Sequence, residues 1–200
     1  AGDTNYNVAS TSQLITIGKT TPVLTITSAN TLNVDGTLTA TVTTTATNGR
    51  GGAFTYALSA GSGSATINAS TGLITGISIG TVTLTVTSAG DTNYNVATTS
   101  QLITIGKTTP VLTITSANTV NVDGALTATV STTATNGRGG AITYAIAAGS
   151  GSATINASTG LITGISIGSV TLTVTSAGDT NYNVATTSQL ITIGKTTPVL

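Results

Sequence analysis

Asp91-Thr92-Asn93-Tyr94-Asn95 places three oxygen-bearing side chains, Asp91, Asn93 and Asn95, at alternate positions, and the same run recurs at Asp179. That is the opening spacing of a calcium loop. The sixth position is Val96, where such a loop needs Gly, and the twelfth is Leu102, where it needs a bidentate Glu. One carboxylate is too few for tight binding, so no metal is expected there. The expectation is a turn in which Asp91 accepts from local backbone amides. Tyr94, and Tyr182 in the next copy, should pack inward with the hydroxyl tied to a neighbouring loop. Lys107 could condense with an Asn beside an acid to form an isopeptide crosslink, but that chemistry needs a buried lysine. Lys107 stands next to Pro110 in a connecting segment and is expected to be solvated.

Catalysis fails on inventory. The chain has no His and no Cys, and Asp35 and Asp91 stand 56 positions apart with no visible partner. General acid–base work near neutral pH needs a tunable group in a cleft. No enzyme activity and no cofactor are expected. The loop Ala46-Thr47-Asn48-Gly49-Arg50-Gly51-Gly52, with Asn136 and Arg138 in its second copy, is the most ligand-like of the chain. Its glycines suit a tip that touches a sugar or a protein, although such loops more often only cross between sheets. Asn68-Ala69-Ser70 and Asn156-Ala157-Ser158 meet the N-glycosylation pattern by letters alone. The alternating threonines from Thr81 to Thr87 are explained by one polar face of a strand.

Charged residues make up 5% of the 200, against about 25% in an ordinary soluble domain. Net charge is zero. Capture of nucleic acid or of an anionic membrane needs clustered Lys or Arg, which the chain lacks. No apolar run is long enough to span a bilayer as a helix. A neutral surface of Thr, Ser, Asn and Gly lacks the repulsion that keeps proteins apart, so association with itself is favoured.

The text that opens at Ala1 returns at Ala89 and Ala177, a period of 88 residues. Gly18–Ile105 and Gly106–Ile193 differ at seven positions, among them Phe54/Ile142 and Leu58/Ile146. Each repeat is one folding unit, and the job must be one that identical units in series can do. The expected domains are 1–17 as the end of a preceding repeat, 18–105, 106–193, and 194–200 as the start of a following one. Since it opens and stops inside a repeat, the chain is expected to be a window on a longer array.

Thr and the β-branched aliphatics alternate with period two, and helical spacing is nowhere sustained. Strands are expected over 23–27, 32–34, 38–42, 54–58, 65–67, 73–75, 82–86 and 102–105, separated by turn signals such as Asp35-Gly36 and Gly90-Asp91. Seven or eight short strands without a helix bury their inner faces only against a second sheet. The expected inward set is Leu38, Ala40, Val42, Phe54, Tyr56, Leu58, Val82, Leu84 and Val86, with Thr39, Thr41, Thr83 and Thr85 facing water. Between units, Pro110 fixes its own φ and pushes Thr109 to extended backbone, which limits bending. Strands of about ten residues give a rise on the order of 40 Å per unit.

Ala65-Thr66-Ile67, Gly72-Leu73-Ile74-Thr75-Gly76, Gly80 before Val82 and Leu84, and Gly90-Asp91-Thr92-Asn93-Tyr94-Asn95 together resemble the bacterial immunoglobulin-like domains of invasin- and intimin-type surface proteins and long repetitive adhesins. Tyr56 and Tyr144 stand where many members have Trp. The resemblance implies an all-β fold of tandem immunoglobulin-like β-sandwiches, arranged as beads on a string, on the outside of a bacterial cell. The implied role is a structural stalk or fibre that extends by rigid repetition and associates with itself, laterally or end to end. The alternative is an adhesin module presenting the Arg50 loop to a carbohydrate or host protein.

Overall fold

The computed structural model describes residues 4–47, 49, 51–135 and 138–197. Every regular element among them is a strand. The first unit runs β1 (Leu24–Ile26), β2 (Thr31–Asn33), β3 (Thr37–Thr39), β4 (Val42–Thr44), β5 (Phe54–Ala60), β6 (Ser64–Ile67), β7 (Leu73–Ser78), β8 (Gly80–Ser88) and β9 (Ala97–Gly106). The second repeats it as β10 (Leu112–Ile114), β11 (Thr119–Asn121), β12 (Ala125–Thr127), β13 (Val130–Thr132), β14 (Ile142–Ala148), β15 (Ser152–Ile155), β16 (Leu161–Ser166), β17 (Gly168–Ser176) and β18 (Ala185–Gly194).

One layer of the first unit is the sheet β2-β9-β8-β5, in which β2 runs parallel to β9 and the other pairs are antiparallel. The other consists of β3-β7-β6 and the pair β1-β4. The segment 38–42, expected as one strand, is two. At the break the Ala40 N–H donates to the Gly72 carbonyl (2.9 Å) and the Thr41 carbonyl accepts from the Thr27 N–H (2.9 Å). The chain thereby leaves β7 for β1 with its polar groups satisfied. This division raises the strand count to nine per unit.

Alternation decides what is inside. Val82, Leu84 and Val86 of β8 meet Ile74 of β7 and Ile103 and Ile105 of β9 in one fully buried cluster, with Leu32, Val34 and Ala40 around it. Val170, Leu172, Val174, Ile162, Ile191 and Ile193 repeat it in the second unit. Phe54, Tyr56 and Leu58 point inward but are only half-buried, because β5 is an edge strand. Thr83 and Thr85 are half-buried too, since β8 is flanked on both sides by β5 and β9. The inward register read from the sequence stands.

Truncating Leu84 to Ala should therefore destabilise its unit by about 2–4 kcal/mol, whereas Thr83→Ala should stay within about 0.5 kcal/mol. Denaturant midpoints of the two variants check this, and equal effects would place both side chains on the same footing.

Candidate functional site at the joint between units

The five-residue run starting at Asp91 or Asp179 folds as a turn built on its aspartate. One carboxylate oxygen of Asp179 accepts from the N–H groups of Asn181 (2.7 Å) and Tyr182 (2.9 Å), and the other accepts from the N–H of Gly139 (2.8 Å). Asp91 makes the same three bonds, to Asn93, Tyr94 and Gly51. These carboxylates thus hold a turn and the glycine-rich loop together. Buried Ser88 and Ser176, which the sequence did not single out, donate from their hydroxyls to the carbonyls of Gly51 and Gly139. Gly52, at φ 79°, has no room for a side chain, because a Cβ would lie 2.3 Å from the Gly90 carbonyl oxygen.

The connecting segment is strapped to this turn. The Lys107 ammonium donates to the Asp179 carbonyl (2.8 Å) and the Asn183 amide to the Thr109 hydroxyl (2.9 Å). Thr108 forms a parallel bridge with Tyr182. Lys107 is exposed, as expected of a solvated lysine, and its head also caps a backbone carbonyl. Asn95 does for Thr21 what Asn183 does for Thr109 (3.0 Å). Pro110 is buried.

From this platform the second unit grips the first. The Tyr182 hydroxyl donates to the Asp35 carboxylate and accepts from the Thr135 N–H (3.2 Å). The Thr135 hydroxyl donates to both oxygens of the same carboxylate (3.2 and 3.3 Å). Arg138 donates to the Ile77 carbonyl (2.9 Å), the Ile79 N–H donates to the Asn181 side-chain oxygen (3.1 Å), and the Thr108 hydroxyl donates to the Val34 carbonyl. The Tyr182 ring joins the apolar core of the first unit at 1% exposure. A shallow groove of about 360 Å³, lined by Asn33, Val34, Asp35, Gly36, Thr108 and Thr133, runs along the joint.

The two units act as controls for each other. Ile77 and Ile79 are half-buried at the joint, while their counterparts Ile165 and Ile167 in the second unit are each 53% exposed. Tyr94 is half-buried where Tyr182 is buried. Asp35 sits at φ 61° and Asp123 at φ 59°. That left-handed conformation costs an L-residue about 1 kcal/mol and is adopted most readily by Gly, Asn and Asp. At this position Asp supplies what Gly would not, an acceptor aimed at the next unit.

Of the residues singled out from sequence, Tyr182 and Pro110 lie in the turn and connecting segment that build the joint, while Asp91, Asn93, Tyr94 and Asn95 form the equivalent turn of the first unit, strapped to Lys19–Thr21. Arg138 lies in the joint itself, its guanidinium half-buried on the first unit. Asn48, Arg50 and Asn136 fall outside the described residues. Among the described residues, no group of three or more acidic, His or Cys side chains could hold a metal ion. Asp35 had been taken only as a turn residue. The usable signal was an Asp kept in both repeats at a turn position where Gly or Asn would serve as well.

The fold is that of immunoglobulin-like β-sandwiches in tandem. Residues 19–100 and 107–188 each match the bacterial Ig-like domain (group 2) family, and the chain belongs to that family. No curated protein matches it in sequence. Among solved structures it is similar to the fibronectin(III)-like modules of Clostridium thermocellum CbhA, at 12% identity and a TM-score of 0.33, covering 86% of this chain and 95% of that one. It is also similar to the three N-terminal domains of the Highly Immunogenic Outer Capsid protein (Hoc) of bacteriophage RB49, at 17% identity and a TM-score of 0.32, covering 86% of this chain and 59% of that one.

The Gly139 N–H holds the Asp179 carboxyl below the usual carboxylate range; desolvation opposes this, and the N–H groups of Asn181 and Tyr182 and the Lys107 charge reinforce it. A pKa lower in the folded than in the unfolded chain stabilises the fold above the ordinary value of about 3.9, and that contribution is lost as pH falls through the folded value. Urea midpoints between pH 7 and 2 should therefore fall less steeply for Asp179→Asn than for the parent chain. Parallel profiles would mean that the carboxylate charge contributes nothing to the turn.

Proposed function

We propose that the chain is a structural segment of an extracellular bacterial surface stalk or fibre, acting without catalysis by stiff serial extension. The observation that carries this is the joint. A carboxylate, two hydroxyls, a guanidinium, an amide and a buried tyrosine ring connect two units whose covalent link is only Gly106 to Pro110, so swivelling one unit on the other breaks several bonds at once. Near-identical units then make length a matter of copy number. The family match supports a repeat of the surface structural or adhesin kind, and the stalk reading is preferred because Arg138, the described half of the expected ligand-loop pair, is spent on the neighbouring unit.

Sideways association belongs to the same proposal. Charge is only 5% of the chain and nets to zero, so neighbouring arrays repel little. Their Thr-rich faces repeat every 88 residues, and one weak lateral contact recurs in register.

Small-angle scattering should give this chain one well-defined elongated envelope, and a glycan array should show no binding. A broad ensemble of shapes together with specific glycan capture would favour the adhesin reading. Sedimentation of arrays lengthened by whole repeats should show lateral association that grows with repeat number and scarcely changes between low and high salt, because little of the attraction is ionic. Monomers at every length would remove the bundled form of the fibre.

A further inference from the structure

A sheet edge is a row of backbone donors and acceptors, and proteins usually shorten, bulge or charge it. Three edges of the first unit follow that rule. β2 and β4 are three residues long, and β6 has four with a bulge between Ser64 and Ala65. β5 does not. It pairs with β8 over seven residues without a register shift, and its other side faces no strand. It contains no Pro, and no charged residue occurs anywhere from Gly51 to Gly90. The Ala53 carbonyl accepts from the Ala89 N–H (3.0 Å), which sets the phase of the ladder. Thr55, Ala57 and Ser59 therefore bond to β8, while Phe54, Tyr56, Leu58 and Ala60 aim their N–H and carbonyl groups away from it. The Tyr56 N–H is met by the Ala69 carbonyl (3.0 Å). Among the described residues nothing meets those of Leu58 and Ala60. Beside them, where β5 parts from β6, lies a hollow of about 210 Å³ lined by Leu58, Ala60, Gly63, Ala65 and Val82. The first unit has its following neighbour in place and β5 is still an edge, so the feature belongs to the complete repeat. β14 repeats it, with Tyr144 capped by the Ala157 carbonyl (2.9 Å). Three of the seven differences between the repeats, Phe54/Ile142, Leu58/Ile146 and Ser59/Ala147, fall on this strand, and none adds a charge or a Pro.

We propose that the β5 edge is the lateral contact surface of the chain, and that its occupant is β5 or β14 of a second copy, added antiparallel. This rests on the sideways association proposed above and names the surface that makes it. With Leu58 opposite Leu58 of the second copy, each Leu58 N–H donates to the other's carbonyl, and each Ala60 N–H donates to the other's Tyr56 carbonyl. The capped Tyr56 N–H groups stay as they are. Two four-stranded sheets thereby merge into one. The side chains follow the backbone. On the inner face the added strand continues the apolar row Phe54, Tyr56 and Leu58 and roofs the hollow beside it. On the outer face Ala57 of one copy meets Ser59 of the other, both exposed and small enough to sit opposite each other. A second copy fits because the strand is complementary to itself about a two-fold axis, is rich in strand-forming Phe, Thr, Tyr and Leu, and brings no charge to either side. Each array carries the edge once per repeat, so individually weak contacts add along its length. Each unit has one such edge, so this contact joins arrays in pairs.

Ala57→Lys and Ser59→Lys, with Ala145→Lys and Ala147→Lys in the second unit, set like charges face to face across the added strand while changing only exposed positions. A control chain carries the same charge on the outer faces of β9 and β18, as Thr98→Lys, Ser100→Lys, Thr186→Lys and Ser188→Lys, also exposed. In sedimentation at high protein concentration the parent and the control should associate, and the β5 variant should be monomeric. In the associated parent, hydrogen exchange at the Leu58 and Ala60 amides should slow at least tenfold relative to the dilute monomer. A β5 variant that associates like the parent would move the contact to another face, overturning the edge while keeping the bundled array. Loss of association in both lysine chains would assign the effect to general repulsion and overturn the edge as well. Parent chains that stay monomeric would overturn both the edge and the bundled array, and slowed exchange at Leu58 only on adding an unrelated extended peptide would give the edge to a foreign strand and overturn the second copy.

Discussion

The arrangement of the whole chain depends on one carboxylate held out of its own unit. Asp35 is fixed in the left-handed region at the tip of a turn, and from there it accepts hydroxyl protons from Tyr182 and Thr135 of the next sandwich. An ionised carboxylate is acceptor-only, and hydrogen bonds to a charged group are worth about 1.5–3 kcal/mol, more than a neutral pair. Two such bonds around a buried ring join the neighbouring sandwiches. Everything on the second unit that makes the grip is arranged by Asp179, which orders the turn carrying Tyr182 and the loop carrying Arg138.

That division of labour explains why the turn is so densely bonded. A joint transmits stiffness only if the groups forming it are themselves immobile. Tyr182 is fixed through its own N–H, through its bridge to Thr108 and through its hydroxyl. Linker, turn and glycine loop therefore move together or not at all. The calcium-like spacing has the same origin, because a turn that folds its backbone N–H groups around one carboxylate calls for the short polar residues that a metal loop also uses.

Much of the fold was legible because burial in a sandwich imposes period two, and Val82, Leu84 and Val86 announce it. The split at Ala40–Thr41 was not, since the alternation Leu38, Ala40, Val42 runs unbroken through the point where the partner strand changes from β7 to β1. The role of Tyr94 and Tyr182 in pinning a loop followed from their place in the turn. The grip of Tyr182 on Asp35 did not, because the two are 147 residues apart and each looks locally complete. Repetition deepened the difficulty. Contacts within a unit and contacts between units leave the same 88-residue signature, and only coordinates separate them.

The central claim is that the Asp35 carboxylate makes two sandwiches one body. Spin labels on cysteines placed at Thr71 and Thr159, exposed and equivalent in the two units, report it through their distance distribution by pulsed electron resonance. The parent background should give one narrow distribution, and Asp35→Gly, which suits the local backbone but removes the acceptor, should broaden it while leaving both units folded. A broad distribution in the parent background, or one equally narrow with and without the carboxylate, would contradict the account.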